Sequence, residues 1–198
     1  MRHVGGPALL WAALATTTQA ACPVANDMAA GVRITLESGE AEVFRATSDV
    51  LVESLLGKAD GAQTRFTYAR GVYLLESVDV TAEGLRPDSR ATFAFPVRPE
   101  EAPLPLPGHG WGVRVVATYA GSPVAEMLGI RFGPQQEVTI GDCRLAMVPV
   151  EQRIYEDGEM VAREERHYLP DLGFSYSAAW HEEDRVDRYT PVSIEPVE

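Results

Sequence analysis

The sequence predicts an all-β fold, an antiparallel meander forming a curved sheet, half-barrel or sandwich. Three observations carry this. Apolar and polar residues alternate at period two over most of the chain. Turn signals recur roughly every 8–12 residues. No long stretch has the three-to-four spacing of an amphipathic helix, which disfavours the α/β classes.

The elements follow in chain order. Residues 1–20 read as an export signal: a short basic start (Met1-Arg2-His3), the apolar stretch Ala8–Ala15, and a small-residue segment ending at Ala20. That stretch is far too short to span a bilayer, and no later segment is long enough, so no transmembrane helix is expected. A single β-rich domain is expected over 21–198. Val32, Ile34 and Leu36 alternate with Arg33, Thr35 and Glu37; Ser38-Gly39 marks a hairpin, and Ala41 and Val43 resume the apolar face. Val50–Leu56 is an apolar run read as a strand. Lys58–Gly61 is a turn, and Thr64, Phe66 and Tyr68 alternate with Arg65 and Thr67. Val72–Val80 is a strand, 82–89 is turn-rich, and Ala91, Phe93, Phe95 and Val97 place large groups on one face. Residues 98–112 contain Pro99, Pro103, Pro105 and Pro107 before a Gly-rich end, a composition that favours a long extended loop. Strands follow at 113–119, 124–132, 138–140, 143–155, 160–169, 174–181, 185–189 and 192–197. Asp157-Gly158 is the strongest hairpin signal among them.

Composition excludes several classes of function. The 198 residues carry 17 Lys+Arg against 29 Asp+Glu, a formal charge of −12. The pI is near 4.8. Nucleic acid and anionic membrane surfaces are disfavoured, because both need clustered cations. Lys58 is the only lysine among seventeen basic residues. That arginine bias, with the short export signal, points to a GC-rich Gram-negative bacterium and its periplasm.

Cys22 and Cys143 are the two cysteines. In an exported chain the simplest reading is one disulfide, tying the mature N-terminus to the distant half of the molecule. The loop-entropy estimate for such a tether is about 4–5 kcal/mol. The competing reading is a lipid anchor on Cys22. Ala20 and Ala21 suit it, but Gln19 stands where a lipoprotein signal usually has leucine.

Catalytic motifs are missing: no G-x-S-x-G elbow, H-E-x-x-H pair, phosphate loop or dinucleotide fingerprint occurs. No cofactor is implied. His109 sits in the Gly-rich end of the proline segment, and nothing near it in sequence completes a site. His167 and His181, with neighbouring acids, could approach a metal if their strands pair, although acidic residues beside a histidine usually form solvated hairpin ends. Adjacent acids such as Glu100-Glu101 and Glu182-Glu183 are expected by chance in so acidic a chain. They point to opposite faces of a strand, so they do not form a dyad. The aromatics at alternating positions are more informative: Phe66, Tyr68, Phe93, Phe95, Tyr119, Phe132, Phe174, Tyr176 and Trp180. They form either a filled core or the lining of an apolar pocket in a curved sheet.

The last third runs from Val138–Cys143 through the Asp157-Gly158 hairpin to Tyr168-Leu169-Pro170-Asp171-Leu172-Gly173. Over residues 138–196 this ending resembles uncharacterised exported β-rich proteins of Gram-negative bacteria. Some of these resemble the periplasmic lipoprotein-carrier half-barrel. The resemblance implies the fold and the compartment, supplies no site residues, and makes the Tyr-Leu-Pro-Asp-Leu-Gly segment a structural turn. The expected function is a non-catalytic binding or envelope-assembly module that holds a lipid, another apolar ligand or a partner segment. An exported hydrolase or lyase using carboxylates and a histidine such as His109 or His181 is the alternative.

Overall fold

The computed structural model describes residues 21–58 and 60–197. The export signal assigned to 1–20 lies outside the described residues. The chain first makes a five-strand meander, β1 (Val32–Leu36), β2 (Ala41–Ala46), β3 (Leu51–Gly57), β4 (Gln63–Ala69) and β5 (Tyr73–Thr81). The short β6 (Gly84–Leu85) and β7 (Ala91–Ala94) both pair with β5. Long strands follow: β8 (Gly110–Tyr119), β9 (Ser122–Phe132), β10 (Gln136–Ile140), β11 (Cys143–Glu156), β12 (Glu159–Leu169) and β13 (Phe174–Glu182). β14 (Arg185–Arg188) and β15 (Pro191–Pro196) complete one antiparallel curved sheet of 15 strands.

Turn chemistry sets the hairpins. Asp157 and Gly158 both take positive φ, 49° and 87°, as do Ala120 and Gly121 at 48° and 86°. Two successive positive-φ residues match the twist of the flanking strands. Gly71 answers a different demand. A Cβ there would lie 2.1 Å from the Gly173 carbonyl oxygen. Only a glycine lets the β4–β5 turn press against the β12–β13 turn. Across that contact the Gly71 carbonyl accepts hydrogen bonds from the Ser175 backbone N–H (2.9 Å) and hydroxyl (2.7 Å).

The sheet almost closes on itself. Its two ends are β14 and β15, which are adjacent in sequence, while β15 pairs with β1. Two residues bridge the ends. The Tyr189 N–H donates to the Ala178 carbonyl on β13, and the Thr190 carbonyl accepts from the Glu37 N–H beyond β1.

Curvature buries two apolar groups of residues. The first joins Val32, Ile34, Phe44 and Val52 of the meander to Cys143, Leu145 and Met147 of β11 and Phe174 and Tyr176 of β13. The Phe44 and Phe174 rings stack with centroids 4.1 Å apart. The second joins Val72 and Tyr73 to Val113, Val115, Leu128, Ile130, Phe132, Val148 and Val150. β11 serves both. Its first residues pair with β10 and its later ones with β9 and β12. Cys22 reaches Cys143 at the start of β11 as a disulfide.

Three sequence expectations change. On β2 the inward positions are Glu42 and Phe44, and Val43 points the other way, paired with Arg33 and Leu55. Phe44 is fully buried, and one residue of register decides which set turns inward. The strand expected through Val97 stops at Ala94. Phe95 instead packs in the second apolar group against Trp111 and Tyr73. The proline segment is a loop with a short 3-10 turn at Pro99–Glu101, but it ends earlier than expected because β8 already begins at Gly110. The loop lies against the start of β5, where the Tyr73 hydroxyl donates to the Pro103 carbonyl at 2.8 Å.

Candidate functional site

The meander registers its inward residues in rows. One row is Ile34, Glu42, Leu56 and Thr64; the next is Val32, Phe44, Ser54 and Phe66; a third brings Val52 and Tyr68 together with Leu74. These rows face β12 and β13, and the space between is not filled. A cavity of about 510 Å³ remains. Its apolar wall is Leu36, Leu56, Phe66, Leu74 and Trp180, with Tyr68, Tyr176 and Tyr189 adding hydroxyls. That volume lies within the range of about 300–1,000 Å³ typical of small-molecule sites. Glu40 and Lys58 also line it, at the end where the β1–β2 and β3–β4 turns and Tyr189 come together.

A polar cluster sits inside. Arg166 is buried, and each of its three guanidinium nitrogens donates a hydrogen bond. Nε donates to the Ser175 hydroxyl, one terminal N–H to the Ser175 carbonyl and the other to Glu164, each at 2.9 Å. The guanidinium carbon lies 4.8 Å from the centre of the Tyr68 ring, in cation–π range. This fork needs the bulge between Glu165 and Arg166, where one β12 step faces an extra β13 residue. Glu42 stands on the meander side and accepts a short hydrogen bond from the Ser54 hydroxyl. Burial pushes the Glu42 carboxyl up to about 7; the Ser54 bond and the Arg166 charge act against that, and the Glu164 charge adds to it. Burial likewise raises the Tyr68 and Tyr176 hydroxyls, so both stay neutral.

The aromatic candidates separate. Phe66, Tyr68, Tyr176 and Trp180 line the cavity. Phe132 and Phe174 are fully buried packing groups. Phe95 belongs to the second apolar group. Phe93 and Tyr119 meet edge to face at 5.9 Å, and Tyr119 is 42% exposed, so this pair is neither core nor pocket lining. Neither His109 nor His181 lines the cavity. His181 instead contacts Arg163 and lies 3.0 Å from Glu165. His167 bonds the Tyr176 hydroxyl at 2.8 Å, and burial lowers its pKa. Among the described residues, no group of three or more metal-binding side chains comes together.

Sequence reasoning missed Glu42, Glu164 and Arg166. Each sits in a strand rich in charge, where nothing local marks an inward side chain. A second hollow of about 480 Å³ lies beside the β11–β12 hairpin, lined by Arg114, Met127, Tyr155 and Asp157. Its buried acid, Glu126, already accepts a 2.7 Å hydrogen bond from Tyr119.

No protein-family model matches the chain, and no curated protein matches it in sequence. Among solved structures the chain is similar to the hypothetical lipoprotein YmcC from Escherichia coli (K12), at 10% identity. The likeness covers 84% of this chain and 87% of that one, with a TM-score of 0.45. No helix among the described residues is long and apolar enough to cross a membrane.

Proposed function

We propose that the protein is an exported binding module of the periplasm that holds the apolar part of a small ligand or partner segment between the two halves of its curved sheet. The observation that carries this reading is the unfilled cavity of about 510 Å³, walled by Phe66, Leu56, Leu74 and Trp180. A sheet built only for packing would close over such a space, because voids forfeit dispersion contacts on every lining atom. The disulfide supports an oxidising compartment.

The test is a native mass spectrum of protein purified without detergent, followed by titration with N-phenyl-1-naphthylamine, a neutral apolar fluorophore. A co-purifying apolar molecule, or one-to-one uptake of the fluorophore that falls in Trp180→Ala, is the expected result. Folded protein of bare mass that takes up no fluorophore would overturn the reading.

A further inference from the structure

Resting on that reading, we propose that the cavity is selective for an organic cation: an ammonium or guanidinium group held at Glu42, with its apolar body against Phe66, Leu56, Leu74 and Trp180. Fatty acids and other anionic amphiphiles are excluded.

The argument is an account of which charges are already in use. Arg166 is the cation of the cavity interior, and its charge is already paired with Glu164. Its donors go to Glu164, the Ser175 hydroxyl and the Ser175 carbonyl, and its face covers Tyr68. A ligand carboxylate or phosphate would have to share Arg166 with Glu164, in an interior that already sets the two carboxyl groups of Glu42 and Glu164 against one guanidinium. Lys58 is exposed at the mouth and does not compensate inside. Glu42 is in the opposite situation. Among the described residues it takes a single hydrogen bond, from Ser54, and it lines the cavity with acceptor capacity unspent. The cation that acts on it is Arg166 of β12, which is already paired with Glu164. The neighbouring Glu164 adds a second negative charge from across the space.

Aromatic faces complete the chemistry. Phe66, Tyr68, Tyr176, Tyr189 and Trp180 surround the same volume. A ring face attracts a desolvated cation and gives nothing to an anion. Carboxylate and aromatic walls together favour one sign of ligand charge, and apolar burial supplies affinity without regard to sign.

The charge state of Glu42 makes the preference depend on pH. The groups facing Glu42 are Ser54 on β3, Tyr68 on β4, and Glu164 and Arg166 on β12, with Glu40 and Lys58 nearer the mouth. Ser54 is not titratable, Tyr68 is held neutral and Arg166 stays charged, so the change near neutrality belongs to Glu42. An alkylammonium remains cationic throughout.

The experiment compares octylammonium, octanol and octanoate by calorimetry on the intact, oxidised protein at pH 6 and pH 8. Octylammonium should bind tightest and octanoate weakest. Octylammonium affinity should rise by up to about tenfold from pH 6 to pH 8, following ionisation of Glu42. Glu42→Gln, checked for fold by circular dichroism and disulfide mass, should lose roughly tenfold for octylammonium and abolish the pH dependence of its binding. If octanol or octanoate binds as well as octylammonium, the charge assignment fails and the apolar-cavity reading stands. If none of the three binds to folded protein, both fail.

Discussion

Two regions of the same sheet handle burial in opposite ways. Around Tyr73, Trp111 and Phe132 the inner faces meet side chain to side chain. Tyr73 packs edge-on to Trp111 at 5.2 Å, and Phe95 stacks on Trp111 at 5.7 Å. Between the meander and β12–β13 the faces stand apart, and a buried Arg166–Glu164 pair and Glu42 occupy the gap. Both regions arise from alternating strands, so strand pattern does not distinguish them. The difference is charge: an inward arginine, held by Glu164 and Ser175, lines the open region, whereas apolar side chains meet in the filled one. Buried ions kept at some cost to stability are a common mark of function over packing.

The sharpest way to break this comparison is to damage each side in turn. Phe132→Ala, in the filled region, should cost about 3–5 kcal/mol by urea unfolding, from lost transfer energy and a cavity the neighbours cannot close. Arg166→Met should cost about 3 kcal/mol or more, because it strands Glu164 and leaves the Ser175 carbonyl without its donor. Glu42→Gln should act in the other direction. The folded state raises this carboxyl from 4.5 to about 7, so folding takes up a proton between those values and stability falls as pH rises through that window. Removing the ionisable group should flatten that slope and add roughly 1–3 kcal/mol above pH 7, read as a higher Tm at pH 8 with no gain at pH 4. Phe66→Ala should be the mildest, about 1 kcal/mol, because one side of the ring already borders open space. A cost for Phe66→Ala equal to that for Phe132→Ala would mean that the cavity is closed in solution.

Much of the architecture was legible because it rests on local signals. The Asp157-Gly158 turn, the alternation in β1 and β4, and the turn before β13 are written within a few residues each. The site was not, for a physical reason visible at β2. Ala41 and Val43 look like the apolar face, yet Phe44 and Glu42 turn inward, since register follows the bulkiest group that can be buried. Arg166 was hidden similarly. Its inward aim depends on a bulge formed only when β12 meets β13. The aromatics were recognisable as a set, but whether each one packs or lines depends on the separation of strands far apart in sequence.

The two-residue bridge at Tyr189-Thr190 sets an order of events. β1 finds one neighbour, β2, almost immediately, but its other neighbour arrives only with β15, about 160 residues downstream. Until then the β1 edge is bare backbone, a template for any extended strand that meets it. The Cys22–Cys143 link can form before residue 191 has appeared, drawing the start of β11 toward the N-terminal end of the chain while that edge waits. In the finished sheet β15 covers the edge that β2 leaves open on β1. A chain halted short of Pro191–Pro196 would present its oldest strand unpaired to the surroundings.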